Sequence, residues 1–197
     1  MDSRTIDTYN KMAHEYDEET VVFWETFPRD FFDAFASLTK GPVLDIGSGP
    51  ARDALILKER GLDVTCFDAS EAMIEISRAQ GFHSVLGDVM HLPFADNFFG
   101  AVWAYTSLIH VPKKDIDTAF SEIKRVLAPR GVLGLGFIEG NTEEYRESSG
   151  VTMPRLFSYY TQEELEGLLQ KHGFEIITFQ EFKPKSKKYL NIIAKSI

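Results

Sequence analysis

The stretch VLDIGSGPARDA, residues 43–54, decides how the rest of the chain is read. Four strand-forming residues, Val43 to Ile46, run straight into Gly47-Ser48-Gly49, and the apolar pattern restarts with helical spacing at Ala51, Ala54, Leu55 and Leu57. The text spells a strand, a glycine turn and a helix. Glycine permits positive φ and, having no Cβ, lets a ligand approach the main chain, so a small ligand is expected on this turn.

A second strand-like run, Leu62–Phe67, ends at Asp68. That is about 20 residues beyond the glycines, where nucleotide folds keep the carboxylate that accepts ribose hydroxyls. The dinucleotide fingerprint G-x-G-x-x-G is not met, because Arg52 stands where the third glycine falls. A pyrophosphate beside Asp45 would be repelled, whereas the sulfonium and ammonium of S-adenosylmethionine are cations that a carboxylate-bearing turn favours.

Outward from this unit the pattern alternates. Strand-like runs at Val43–Ile46, Leu62–Phe67, Ser84–Leu86, Gly100–Tyr105 and Val132–Ile138 are separated by helical stretches at Ala51–Arg60, Ser70–Ala79 and Asp115–Leu127. Such alternation implies right-handed crossovers, a parallel sheet and a ligand site at the carboxyl ends of its strands.

Taken together, VLDIGSGPARDA, VTCFDAS, VLGDVMHLPFADNFFGAVWA and EIKRVLAPRGVL, in that order, resemble the class I S-adenosylmethionine-dependent methyltransferases, in particular the small stand-alone enzymes acting on small molecules. The likeness runs from about Tyr9 to the C-terminus. It departs at Ala51, where these enzymes often carry a third glycine. It implies a Rossmann-like three-layer α/β sandwich, with a seven-stranded, mostly parallel sheet closed by an antiparallel C-terminal hairpin.

The resemblance also assigns residues. Gly47, Ser48 and Gly49 would contact the methionine part of the cofactor, with Asp45 toward its amino group, and Asp68 would take both ribose hydroxyls. Ala69, Ser70 and Met73 would border the adenine, and Gly87-Asp88-Val89 would read its edge. Ser70 is equally a helix N-cap. Tyr105, Thr106 and Ser107 follow the fourth strand, where cofactor and acceptor meet, and His110 is the only candidate base in that segment. The segment has no Asn/Asp-Pro-Pro-aromatic motif, carboxylate cluster or cysteine, which sets aside amino-methylating DNA enzymes, magnesium-dependent catechol-type enzymes and covalent pyrimidine methylation. No metal is expected.

At the N-terminus, Ile6, Tyr9, Met12, Ala13 and Tyr16 predict one amphipathic helix, and Phe27, Phe31, Phe35 and Leu38 a second. Both precede the first strand and are free to cap the cofactor; the family's Tyr…Ala…Tyr-Asp segment corresponds to Tyr9, Ala13, Tyr16 and Asp17. Residues 140–160 are polar and aperiodic, which suits a lid loop. Thr161-Gln162-Glu163-Glu164 is a capping-box signature opening a helix that stops at Gly173. The runs Phe174–Phe182 and Tyr189–Ala194 form a hairpin around a lysine-rich turn expected to be solvated. The chain thus reads as one domain: a helical cap (1–40), a cofactor-binding core (41–139), a candidate lid (140–160) and a closing helix and hairpin (161–197).

Composition bounds the rest. The 197 residues are 44% hydrophobic and 26% charged, ordinary for a globular chain. With Lys+Arg 21 against Asp+Glu 30 the net charge is −9, which attracts neither nucleic acid nor an anionic membrane. One cysteine, Cys66, excludes an internal disulfide and suits a reducing cytoplasm. The expected activity is methyl transfer to an oxygen, nitrogen, sulfur or carbon of a small metabolite; the alternatives are an NAD-type oxidoreductase and a non-catalytic adenosylmethionine-binding module.

Overall fold

A computed structural model describes residues 1–148 and 150–197. Three helices, α1 (Ser3–Lys11), α2 (Ala13–Thr26) and α3 (Arg29–Leu38), precede the alternating unit. That unit comprises β1 (Val43–Ile46), α4 (Arg52–Glu59), β2 (Val64–Asp68), α5 (Glu71–Ala79), β3 (His83–Leu86), β4 (Phe99–Tyr105), α6 (Ile116–Val126) and β5 (Leu127–Ile138). Two short strands, β6 (Glu143–Arg146) and β7 (Arg155–Ser158), lead to α7 (Gln162–Lys171), β8 (Phe174–Phe182) and β9 (Tyr189–Ser196).

The main sheet has seven strands in the order β3-β2-β1-β4-β5-β9-β8. The first five are parallel, and β9 lies antiparallel between β5 and β8. Strand order reverses at β1, where β1 pairs with β2 on one side and β4 on the other, so the glycine turn emerges at the switch point where open α/β sheets bind ligands.

Strand alternation divides the core in two. Leu44, Ile46, Val102, Ala104 and Leu133 join Ile116, Phe120 and Ile123 of α6 on one face. Val43, Cys66, Ala101 and Trp103 meet Phe31, Phe32 and Phe35 of α3 and Ala54 and Leu57 of α4 on the other. Phe32 stacks on Trp103 with ring centroids 4.8 Å apart. The third helix is therefore a layer of the core rather than a cap, contrary to the sequence expectation for all of residues 1–40.

The N-terminal segment differs from expectation in a second way. The single stripe through Ile6 and Tyr16 is broken at Met12, whose φ of −125° ends α1 and starts α2. The second helix escapes a periodicity test because Val21, Val22, Phe23 and Trp24 are consecutive rather than spaced by turns.

Residues 140–160, expected as an aperiodic loop, contain a hairpin. Strands β6 and β7 pair antiparallel, in register from Glu143 opposite Ser158 to Arg146 opposite Arg155; residue 149 lies outside the described residues. Helix α1 holds this hairpin: Thr8 Oγ1 donates to the Pro154 carbonyl at 2.8 Å, and the Leu156 amide donates to Thr5 Oγ1 at 2.8 Å. The hairpin is anchored by polar contacts, including the buried Arg155 and Ser158, so no apolar alternation marks it in the sequence. The capping box is present as expected, with the Glu164 amide donating to Thr161 Oγ1 and the Thr161 amide donating to Glu164 Oε2.

Candidate functional site

Two adjoining hollows open at the carboxyl end of the sheet. The first is a cleft of about 60 Å³ lined by the glycine turn (Gly47, Gly49), the end of β2 (Asp68, Ala69), Met73, Gly87, Val89 and the segment from Tyr105 to Leu108. Met1, Tyr9 and Tyr16 lie across it. The second is a cavity of about 310 Å³ between α2, β7 and the β8–β9 turn. Tyr9, Tyr16, Thr106 and His110 line both and form the wall between them.

The glycine turn is shaped by its own packing. Gly47 and Gly49 have φ of +69° and +51°. A Cβ on Gly47 would stand 2.2 Å from that of Ser107, whereas one on Gly49 would meet only Tyr16, at 3.8 Å. Ala51, at the family's third-glycine position, also adopts a left-handed conformation, φ 62°, and immediately precedes α4. This is where the resembled enzymes use a residue without a Cβ cost.

The turn's amides are already occupied. Those of Gly47 and Ser48 donate to the Phe67 carbonyl at 2.7 and 3.1 Å, and that of Gly49 donates to Asp68 Oδ2 at 2.9 Å. These three amides are therefore not available to a pyrophosphate.

Asp68 combines anchoring with capacity. Its Oδ1 accepts from the Ser70 amide at 2.8 Å while Oδ2 holds Gly49. A carboxylate offers about four lone-pair sites, so roughly two remain for hydroxyls in the cleft. Burial raises its pKa above the usual carboxylate range, opposed by the Ser70 and Gly49 amides.

Four of the sequence-assigned residues stand behind the lining. Asp45 pairs in register with Cys66 and Trp103, which places it on the α3–α4 side of β1. It is buried, its Oδ2 has no hydrogen-bond partner among the described residues, and burial followed by Asp53 and Asp68 holds its pKa well above normal. Ser48 is buried within the turn. Ser70 caps α5, its Oγ accepting from the Met73 amide at 3.3 Å. Asp88 is ion-paired with the N-terminal ammonium of Met1 and accepts from the Met90 amide at 3.0 Å.

The cleft fits S-adenosylmethionine in chemistry. Asp68 keeps acceptors for paired hydroxyls, Met73 and Val89 supply an apolar wall, the Ser107 hydroxyl is buried without a partner among the described residues, and a cationic ligand would offset the mutual repulsion of Asp45, Asp53 and Asp68.

His110 is buried between two partners. Its Nδ1 meets the Leu156 carbonyl, which can only accept, so Nδ1 carries the proton and Nε2 accepts from the Tyr9 hydroxyl at 2.8 Å. Burial lowers its pKa to about 3. The hydroxyl of Tyr105 is turned away, donating to Asn191 Oδ1 at 2.7 Å.

Sequence reasoning missed three contributors. Arg52 Nε donates to Asp17 Oδ1 and its Nη2 to the Asp17 carbonyl, both at 2.7 Å, fastening α2 to the start of α4. Arg155 lies buried in the second cavity. Residues 184–187 of the lysine-rich turn line the rim of the same cavity, and Lys185, Ser186 and Lys187 are exposed, as expected of a solvated turn. A buried arginine in a polar segment leaves no periodic signal; only the run of lysines at the sheet edge hinted at a role.

Comparison with known proteins agrees with this architecture. Residues 44–135 match the family described as methyltransferase domain. Methyltransferase GfsG of Streptomyces halstedii is 36% identical over 105 residues, covering 49% of this chain and 37% of that protein, so the chain spans little more than a third of that relative's length. O-methyltransferase resE of Aspergillus sclerotiorum is 27% identical over 191 residues, 90% of this chain and 72% of that protein. Among solved structures, DhpI in complex with SAH superposes with a TM-score of 0.81 at 22% identity, covering 98% of this chain and 95% of that one.

Proposed function

For a chain that belongs to the class I S-adenosylmethionine-dependent methyltransferases, with the methyltransferase domain over residues 44–135, we propose methyl transfer to an oxygen, nitrogen, sulfur or carbon atom of a small metabolite held in the second cavity. The observation that carries this reading is the shared wall. One hollow has the chemistry of an adenosylmethionine site, the other is large enough for a small acceptor, and only Tyr9, Tyr16, Thr106 and His110 stand between them.

When bound, adenosylmethionine supplies a sulfonium methyl already reactive toward nucleophiles. The protein's task is then orientation and exclusion of water. Asp68 takes the ribose hydroxyls. Ala69, Met73, Gly87 and Val89 border the base, with Asp88, paired to the Met1 ammonium, behind them. Gly47, Gly49 and Ser107 face the amino-acid part, backed by Asp45. Tyr9 and Tyr16, packed edge to face at 5.1 Å, cover the junction. His110 does not meet the acceptor directly, because Tyr9 occupies its Nε2. Any proton it takes arrives through the Tyr9 hydroxyl.

Occupied amides on the glycine turn and the surrounding acids disfavour the NAD-type alternative. Among the described residues no helix is long and apolar enough to cross a membrane. The buried free thiol of Cys66 and the charge of −9 support a cytoplasmic protein that does not bind nucleic acid.

The test is mass spectrometry of a metabolite extract incubated with the protein and methyl-labelled adenosylmethionine. The proposal expects at least one labelled small molecule, formed with stoichiometric S-adenosylhomocysteine. Cofactor binding without label in any metabolite would favour the non-catalytic module.

A further inference from the structure

We propose that the second cavity recognises an acceptor bearing an anionic oxygen group, a carboxylate or a phosphate-type oxoanion, through Arg155 with Lys187 at the rim. The inference rests on the reading of that cavity as the acceptor site and narrows its substrate class.

Arg155 is 5% exposed, and among the described residues no carboxylate ion-pairs with it. Its Nη2 donates to Ser148 Oγ at 2.8 Å and its Nη1 to the Tyr9 hydroxyl at 3.3 Å, while Nε has no partner among the described residues. The rings of Phe157, Tyr9 and Tyr16 lie 5.4, 5.5 and 5.9 Å from the guanidinium. Rings and hydroxyls soften the cost of burying a cation, but they do not neutralise it.

The nearest acid does not close the gap. Glu19 Oε2 accepts from the Ser148 hydroxyl at 2.7 Å, so that serine spends its proton on Glu19 and its lone pair on Arg155. The carboxylate is held one side chain away from the guanidinium.

Lys187 adds a second positive charge. Its ammonium lies 5.5 Å from the same Phe157 ring that Arg155 covers, and it too has no carboxylate within ion-pairing distance among the described residues. Lys185 lines the same rim, which makes three cations against Glu19 alone. In a chain of net charge −9 this local inversion is opposite to the background. A guanidinium's planar fork pairs bidentately with two oxygens of one anion, and the aromatic side chains of Phe23, Trp24 and Phe157 would hold an apolar remainder.

The methionine carboxylate of the cofactor is a second possible source of the anion, and the experiment separates the two. Calorimetry is run on protein saturated with S-adenosylhomocysteine, with benzoate, phenyl phosphate and neutral benzamide as probes. The proposal expects benzoate or phenyl phosphate to bind at least tenfold more tightly than benzamide, and the preferred one identifies the oxoanion. Binding of that probe should weaken tenfold or more in Arg155→Gln and several-fold in Lys187→Gln, which lies at the rim and does not depend on Arg155→Gln folding. Equal binding of charged and neutral probes, no saturable binding of either anion, or unchanged anion binding in Lys187→Gln would overturn it. S-adenosylhomocysteine affinity lost in Arg155→Gln, with the anion preference unchanged, would assign the arginine to the cofactor and also overturn it. The cofactor's own binding, measured first, reports separately on the methyltransferase reading.

Discussion

The Tyr9 hydroxyl donates to His110 Nε2 across 2.8 Å, while the opposite ring nitrogen is held by the Leu156 carbonyl. Helix α1, the 3₁₀ turn at Leu108–His110 and strand β7 are thereby joined through one imidazole. A histidine so placed is fixed in one tautomer and kept neutral.

Its pKa of about 3 has a definite consequence for stability. The unfolded chain binds a proton near pH 6.5 that the folded protein refuses, so the neutral imidazole's contribution is complete above that value and is lost as pH falls toward 3. Relative to His110→Asn, wild-type stability should drop by about 1.4 kcal/mol per pH unit between pH 6 and 4. Comparison with the variant cancels Asp53, whose pKa, raised by burial to about 7, acts with the opposite sign. Parallel pH curves for the two proteins in denaturant titrations would contradict the assigned burial.

Tyr9→Phe removes the donor to Nε2 and an acceptor for Arg155 but keeps the ring. Leaving a buried acceptor unsatisfied costs about 1–3 kcal/mol, so chemical denaturation should show a loss in that range. Turnover should fall further than cofactor affinity, because the hydroxyl stands in the wall between the two hollows.

The Arg52–Asp17 pair predicts a link between the cap and the cofactor. The side chains are 23% and 35% exposed, so Asp17→Asn should cost only about 1 kcal/mol of global stability. Its larger effect should be faster hydrogen exchange in Ala13–Thr26 and weaker S-adenosylhomocysteine binding. Unchanged exchange in α2 would mean that the pair does not hold the cap.

The two glycines of the turn should respond differently. Gly49→Ala meets only the left-handed conformational penalty, about 1–2 kcal/mol. Gly47→Ala adds a collision with Ser107 and should cost a further ~1–3 kcal/mol. Thermal denaturation of both variants orders them; similar losses would show that the Ser107 contact yields without cost.

Much of the fold was legible because local signals agreed with each other. The β1–turn–α4 unit, Asp68 at the end of β2, the Ser70 cap and the Thr161 capping box each combine a periodicity with a residue of special backbone chemistry. Less was legible where contacts are long-range and polar. Arg155 meets Tyr9 across 146 positions, and Arg52 meets Asp17 across 35; neither spacing is marked in the text. Asp45 stands in the expected motif, yet strand alternation sends it to the far face of β1, a distinction that a four-residue strand buried on both sides does not reveal.

Calorimetry with S-adenosylhomocysteine and NADH decides whether the cleft beside Asp68 is an adenosylmethionine site. The wild-type protein should bind the former saturably and the latter not at all. Asp68→Ala, still folded by circular dichroism, should lose about 1.5–3 kcal/mol of binding free energy, the range for hydrogen bonds to a charged group. Undiminished S-adenosylhomocysteine affinity in the folded variant, or tighter binding of NADH by the wild type, would exclude an adenosylmethionine site beside Asp68.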